Sequence, residues 1–141
     1  MMMELQSGSR RWTLVFETGE EVIETLAAFA SREGVHAAHF TALGALRTAT
    51  LAYFDWDTKE YRPIPVDEQV EVTSLVGDIG VADDRPAIHA HAVLGRRDGG
   101  AVTGHLLRGT VRPTLELFLD EGERPLHRRP DAESGLALIR P

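Results

Sequence analysis

The chain has 141 residues, 43% of them hydrophobic and 26% charged, which suits one globular domain and leaves no room for a second catalytic domain. It contains no cysteine, so disulfides, thiolate metal sites, iron–sulfur clusters and cysteine nucleophiles are excluded. Fifteen Lys and Arg residues against 22 Asp and Glu residues give a formal net charge of −7, which disfavours binding to nucleic-acid phosphates.

The beginning of the chain has no charged leader followed by an apolar run, so it does not resemble a secretory signal. We expect a flexible N-terminus over residues 1–10 and a single domain over residues 11–141. No apolar stretch approaches the roughly 18 residues that a membrane-spanning helix requires. The sequence therefore predicts a soluble, cytoplasmic protein without a membrane partner.

The first predicted elements are a strand and a helix. Residues 12–17 are apolar and β-prone, which indicates a strand. Thr18 and Glu21 match a capping box, and apolar residues then recur at helical spacing. Gly34 suits the left-handed residue that closes a helix. This pattern predicts one amphipathic helix that ends at Gly34.

The rest of the chain consists of short β-prone runs separated by Gly, Pro and Asp. The predicted fold is α/β of the α+β type, with one main N-terminal helix and a mainly antiparallel, curled β-sheet. One helix cannot cover both faces of such a sheet, so either the sheet curls into a barrel-like shape or subunits pack together. Strands are predicted near residues 36–43, 47–56, 59–64, 68–79, 86–95, 101–110, 113–120 and 135–140.

Three histidines on a predicted hairpin carry the clearest chemical signal. His89 and His91 are two residues apart, so their side chains project from the same face of a strand. Whether His105 joins them depends on the register of the next strand. A three-residue turn over residues 97–99 sets His91 opposite His105, whereas a two-residue turn at residues 98–99 turns His105 away.

We prefer the converging register, because it also collects apolar residues on the opposite face of the hairpin. Three neutral imidazoles can bind one divalent ion and leave a fourth coordination position open for water or substrate. Zinc is the favoured ion, although nickel, copper, cobalt or iron also suits imidazole ligands. The alternative is that the histidines only pack or face solvent. Candidate carboxylates beside the histidines are Asp78, Asp83, Asp84 and Glu116.

Several stretches form a specific combination that spans residues 11–140. The stretches are the opening strand with Gly19-Glu20-Glu21, Gly44-Ala45-Leu46 leading to Leu51-Ala52-Tyr53-Phe54-Asp55, Val70-Glu71-Val72-Thr73-Ser74-Leu75-Val76-Gly77-Asp78-Ile79, Ile88-His89-Ala90-His91 and Gly104-His105-Leu106. With them the chain resembles the PPC domain, the "plants and prokaryotes conserved" family.

The resemblance implies a homotrimer, whose subunit contacts would cover the sheet. It also implies a metal at His89, His91 and His105. In plants the domain accompanies an AT-hook and regulates transcription, so bacterial members are often described as DNA-binding. This chain has no AT-hook, because the nearest string, residues 108–113, interrupts the pattern.

The sequence thus predicts a PPC-like protein that binds one divalent metal ion through three histidines and leaves the biochemical role undetermined. If the protein is an enzyme, it is at most a metal-dependent hydrolase or lyase that acts on a small molecule. The alternatives are a DNA-binding transcriptional regulator and an interaction module whose histidines only pack.

Overall fold

A computed structural model describes residues 2–6 and 10–140. This part of the chain forms nine strands and one helix, α1 (Val22–Glu33). The mostly antiparallel sheet and the single helix confirm the predicted fold class. The strands are β1 (Met2–Gln6), β2 (Arg11–Glu17), β3 (Ala38–Asp55), β4 (Glu60–Val66), β5 (Val70–Ala82), β6 (Arg85–Gly95), β7 (Ala101–Glu121), β8 (Arg128–Pro130) and β9 (Ala137–Ile139).

Seven strands form one sheet that closes on itself through its two longest members. The order is β1-β2-β7-β6-β5-β3-β4, and β3 also pairs with β7. All of these pairings are antiparallel. Because β3 contacts β7 along one edge and β5 along the other, strands β3, β5, β6 and β7 form a continuous ring. The curled sheet is one of the two predicted ways to cover the apolar surface.

Strands β3 and β7 are each longer than the sequence predicts. Residues 36–43 and 47–56 are predicted as separate strands but belong to β3, and residues 101–110 and 113–120 belong to β7. Both predicted breaks are therefore wrong. The string at residues 108–113 that lacks the AT-hook pattern lies inside β7. The remaining predicted strands match β2, β4, β5, β6 and β9 within a few residues at their ends.

The residues that suggest breaks mark β-bulges instead. The β3–β5 register shifts between Ala42 and Gly44, and the β3–β7 register shifts between Gly44 and Leu46. Gly44 has φ +148°, and a Cβ atom there would lie 2.4 Å from the carbonyl oxygen of Thr114. A glycine is required at this close approach of β3 to β7, so it bends a continuous strand rather than ending it.

The helix α1 is capped differently from the prediction. The carboxylate of Glu21 accepts a hydrogen bond from the backbone N–H of Glu24 at 2.7 Å, so Glu21 is the N-cap. Thr18, the predicted cap, donates its hydroxyl to the carbonyl oxygen of Pro113 at 3.0 Å. This contact with β7 draws Thr18 away from the helix. Gly34 ends the helix in a left-handed conformation with φ +69°, as predicted.

The hydrophobic core lies inside the ring and beneath α1. The ring of Phe29 on α1 meets that of Trp12 on β2 edge to face, with centroids 5.2 Å apart. On the β6–β7 hairpin, Ala90, Ala92 and Leu106 are at most 2% exposed. These residues are the apolar face that the converging register predicts, so the hairpin presents its histidines on the other side of the sheet.

Strands β8 and β9 pair with each other in a small second sheet, here called the C-terminal ribbon (residues 128–139). A backbone hydrogen bond from Val81 N–H to the carbonyl oxygen of Leu126, 2.8 Å long, holds the chain before the ribbon beside β5. The ribbon therefore lies next to β5, the strand that pairs with β6 at His89 and His91.

The start of the chain is described only in part. Residues 2–6 form β1 against β2, while residues 1 and 7–9 lie outside the described residues. The flexibility of residues 1–10 therefore stays a prediction. Within the described ranges, no helix has the length and apolar character needed to cross a membrane.

Candidate metal centre

The turn between β6 and β7 has three residues, as the converging register requires. The N–H of Arg96 donates to the carbonyl oxygen of Gly100 at 2.8 Å, and the N–H of Gly99 donates to the carbonyl oxygen of Arg96 at 3.0 Å. Gly99 has φ +82°, the left-handed conformation that a glycine adopts easily. Asp98 Oδ1 accepts a hydrogen bond from the N–H of Gly100 at 2.8 Å. The two-residue turn is therefore excluded.

This turn places His91 directly opposite His105 on the neighbouring strand. His89 lies two residues before His91 and therefore on the same face of β6. The predicted register is confirmed, and all three imidazoles meet on the outward side of the hairpin. His91 is exposed, whereas His89 and His105 are partly buried.

The three imidazole rings are close enough to share one ion. Their centroids are 5.0 Å apart for His89 and His91, 5.2 Å for His89 and His105, and 5.5 Å for His91 and His105. One ring nitrogen from each residue lies within 4.8 Å of the other two. The Nε2 atoms of His89 and His91 are 3.2 Å apart. Two nitrogens bound to one tetrahedral zinc ion lie about 3.3 Å apart, so this pair already has the spacing of ligands.

A carboxylate behind His89 orients its ring. Asp78 lies opposite His89 in the β5–β6 ladder, and Asp78 Oδ2 is 3.4 Å from His89 Nδ1. A carboxylate at Nδ1 leaves Nε2 for a ligand, which is the usual arrangement behind a metal-bound histidine. Asp78 Oδ1 also accepts a 2.5 Å hydrogen bond from Arg128 of the C-terminal ribbon. The ribbon thus holds Asp78, and Asp78 holds His89.

His105 occupies the most enclosed position of the three. The ring of Tyr61 on β4 stacks on it, with centroids 4.8 Å apart and an angle of 28° between the planes. His105 Nδ1 is buried and has no hydrogen-bond partner among residues 2–6 and 10–140. Buried polar atoms nearly always have a partner, so an unsatisfied ring nitrogen is compatible with a ligand that the protein itself does not supply.

Burial and charge repulsion keep His91 and His105 in the neutral state that binds metals. The pKa of His105 is lowered to about 4, first by burial and then by repulsion from His89, His91 and Arg128. Burial, followed by repulsion from His89, also lowers the pKa of His91. Burial alone would raise the pKa of Asp78, but the polar and charge interactions with His89 and Arg128 together lower it. At neutral pH His91 and His105 are therefore uncharged and can donate lone pairs.

The other residues considered from the sequence lie elsewhere. Asp83 and Asp84 are exposed in the β5–β6 turn, and Glu116 is exposed on β7 opposite Val15. Of the four candidate carboxylates, only Asp78 has a contact with the three histidines in the described part of the chain. His39 is 3.7 Å from Asp120 and, like His36 and His127, does not belong to the histidine group.

Two residues of the site are missed by the sequence analysis. Tyr61 precedes His105 by 44 positions, and Arg128 follows His105 by 23 positions. Both line a cavity of about 280 Å³ next to His89 and His105. No motif marks either residue, because each reaches the site only through strand pairing or through the fold of the C-terminal ribbon.

A family model and several solved structures are similar to this chain. The family model of the Plants and Prokaryotes Conserved (PCC) domain matches residues 3–123. A metal-containing protein of Archaeoglobus fulgidus is 30% identical, with a TM-score of 0.87, over 100% of this chain and 99% of its own. A plant- and prokaryote-conserved (PPC) protein of Pyrococcus horikoshii is 31% identical, with a TM-score of 0.88, over 99% and 95%.

A protein of Bacteroides thetaiotaomicron, described as a candidate DNA-binding protein, has a TM-score of 0.92 at 24% identity, over 99% of this chain and 98% of its own. At this identity the likeness concerns the fold. No curated protein matches the chain significantly.

The lowered pKa of His105 predicts an acid-sensitive fold in the metal-free protein. A histidine with a folded pKa of about 4 and an ordinary value of 6.5 takes up its proton more readily in the unfolded chain. The contribution of neutral His105 to the free energy of unfolding is therefore fully present above pH 6.5. It is lost as the pH decreases from 6.5 towards 4. Urea unfolding of chelator-treated protein across this range measures the slope.

The matched variant is His105→Gln, which removes the titrating ring but keeps a polar side chain. We expect it to lose part of the dependence on pH between 6.5 and 4. An unchanged slope in this variant would show that His105 is not protonated on unfolding and would contradict the prediction.

Proposed function

This chain belongs to the Plants and Prokaryotes Conserved domain family, and we propose that it is a metal-binding member whose one divalent ion is held by His89, His91 and His105. The observation that carries the proposal is the convergence of three ring nitrogens within 4.8 Å. The metal-containing description of the Archaeoglobus fulgidus relative supports it independently.

Zinc is the ion that this site favours. Three neutral imidazoles, no thiolate and an open fourth position are typical of catalytic zinc centres, whereas structural zinc sites are closed by four protein ligands. Nickel, copper, cobalt and iron share the preference for imidazole, so the donor set selects a class of ions. Metal analysis of the purified protein identifies the member of that class.

The surrounding residues prepare the three histidines for this role. Asp78 Oδ2 lies 3.4 Å from Nδ1 of His89 and leaves Nε2 of that ring for the ion that the other two histidines share. Burial keeps His105 neutral, and the stacked ring of Tyr61 limits its rotation. A divalent ion held here with an open position would supply Lewis acidity to a small molecule, which suits hydrolase or lyase chemistry.

The proposal includes assembly as a homotrimer. Leu43, Val76 and Phe118 are 46–55% exposed on the outward side of the neighbouring strands β3, β5 and β7. Val76 and Phe118 both lie opposite Thr41 in the two ladders of β3, and Leu43 is two residues further along on the same face. These three side chains form an apolar patch that subunit contacts would cover.

The cytoplasmic location stays a prediction.

Metal content tests the centre directly. Untagged wild-type protein is expected to carry about one divalent ion per chain by elemental analysis, and His105→Ala is expected to lose it. Asp78→Asn should retain the ligands but lower the metal affinity by about 10–100-fold, because it removes the carboxylate behind His89. Competition with a chelator measures the difference in metal affinity between the wild type and Asp78→Asn.

The control for these variants is His39→Ala, which removes an exposed histidine outside the group. It should bind the metal as the wild type does. Stoichiometric metal in His105→Ala, or equal losses in His39→Ala and His105→Ala, would overturn the assignment of the three ligands.

The trimer has its own test. Light scattering coupled to gel filtration is expected to give about three times the chain mass of 15.5 kDa. Phe118→Glu places a charge in the apolar patch and should yield the monomer, whereas Trp56→Glu, in the exposed turn between β3 and β4, should not. A monomeric wild type would contradict the trimer without affecting the metal centre.

DNA binding is the second candidate function, and it rests on the description given to the Bacteroides thetaiotaomicron protein. The formal net charge of −7 opposes it. We expect no affinity for duplex DNA at about 0.15 M salt in a fluorescence anisotropy titration. Binding that weakens steeply as salt is added would favour the regulator instead.

A further inference from the structure

The cavity beside the histidines has two unlike walls. One wall is formed by residues of the central sheet, including Ile88, His89 and His105, and the other by Arg128, Leu136 and Leu138 of the C-terminal ribbon. At about 280 Å³ it has room for about nine water molecules at roughly 30 Å³ each. A ligand of fewer than about ten non-hydrogen atoms therefore fits.

Arg128 is the only cationic side chain among the described residues that line this cavity. Its side chain is 10% exposed. It donates to Asp78 Oδ1 at 2.5 Å and to the carbonyl oxygen of Ala137 at 3.1 Å. Its Nε is buried and has no hydrogen-bond partner in the part of the chain that the structure describes. A guanidinium has five N–H donors, so these bonds leave part of its capacity unused.

The charges around the cavity favour an anionic ligand. Arg128 contributes a permanent positive charge to the described lining of the cavity. Asp78 balances that charge, but it is shared between Arg128 and His89. A divalent ion on the three histidines would make the region positive overall. A planar guanidinium recognises carboxylates through paired N–H donors, and the low dielectric of the cavity strengthens this contact.

Several of the remaining residues that line the cavity are apolar and favour a ligand with a hydrocarbon part. Ala87 and Ile88 on β6 line the cavity, and so do Leu136 and Leu138 on the ribbon. A fully hydrated inorganic anion gains nothing from such walls, whereas a short hydrocarbon part is stabilised by them. The ligand that suits both features has a carboxylate at one end and a small apolar body.

We propose that this cavity binds a small organic carboxylate, with its carboxylate on Arg128 and its apolar part between β6 and the C-terminal ribbon. The inference rests on the proposed metal centre, which lies at the edge of the same cavity, and it adds the class of ligand. Arg128 and the ribbon lie beyond the residues 3–123 that the family model matches. The carboxylate partner and the ribbon wall therefore lie outside that match, whereas Ala87 and Ile88 of β6 lie within it.

Butyrate is a suitable probe, with its neutral amide butyramide as the matched control. Titration into metal-loaded protein, followed by NMR shifts of the Arg128 Nε–H and the Leu138 methyl groups, reports binding without any assay of activity. We expect saturable shifts with butyrate and at least about tenfold weaker binding of butyramide, which lacks the charge. Inorganic phosphate should also bind more weakly than butyrate, because it leaves the apolar walls without a partner.

Two pairs of variants separate ligand binding from folding. Arg128→Gln should weaken butyrate binding about tenfold or more, while Arg129→Gln, on the same ribbon but outside the cavity lining, should leave it unchanged. Leu138→Asp introduces a carboxylate that competes for Arg128, whereas Leu138→Asn has the same shape without the charge. Butyrate binding should therefore fall further in Leu138→Asp than in Leu138→Asn.

Titration of metal-free protein distinguishes this inference from the proposed function. Binding of butyrate that depends on Arg128 in protein unable to take up metal would support the cavity and contradict the metal centre. If metal binds stoichiometrically but butyramide or phosphate binds as tightly as butyrate, the carboxylate site is wrong and the metal centre stands. Equal affinity of wild type and Arg128→Gln for butyrate would also overturn it.

Discussion

Two backbone hydrogen bonds across the turn at residues 96–100 determine which side of the sheet His105 faces. Side chains alternate along a strand, so a turn shorter by one residue would bury His105 and separate it from His89 and His91. The left-handed Gly99 and the carboxylate of Asp98 stabilise the three-residue turn. The same register buries Ala90, Ala92 and Leu106, so packing of the core and convergence of the histidines favour one arrangement.

Strand β4, which pairs with β3 outside the ring, covers the histidine group on one side. Strand β3 pairs with β7 and also with β4, and this double pairing carries Tyr61 to a position where it stacks on His105. Burial beneath Tyr61 and the surrounding strands lowers the pKa of His105 and keeps it neutral. The closure that completes the core therefore also prepares a ring nitrogen to act as a ligand.

The C-terminal ribbon contributes the charged part of the region. Arg128 bonds to Asp78, and Asp78 lies behind His89, so a residue outside the sheet influences the orientation of the first histidine. A buried guanidinium is costly unless its charge is compensated, and Asp78 provides that compensation. Because Arg128 also lines the cavity, one side chain connects the orientation of His89 with recognition of an anion. The apolar residues of the ribbon complete that cavity.

Local patterns in the sequence predict the histidine pair, the hairpin turn, the register and the mainly antiparallel sheet, because each depends on residues close together along the chain. Local patterns fail at β3 and β7, because pairing between these two strands continues through bulges such as the one at Gly44. Tyr61, Asp78 and Arg128 are distant in sequence from His105 and from one another. Only the tertiary structure decided that they surround the histidines, because strand pairing and the docking of the C-terminal ribbon bring them together.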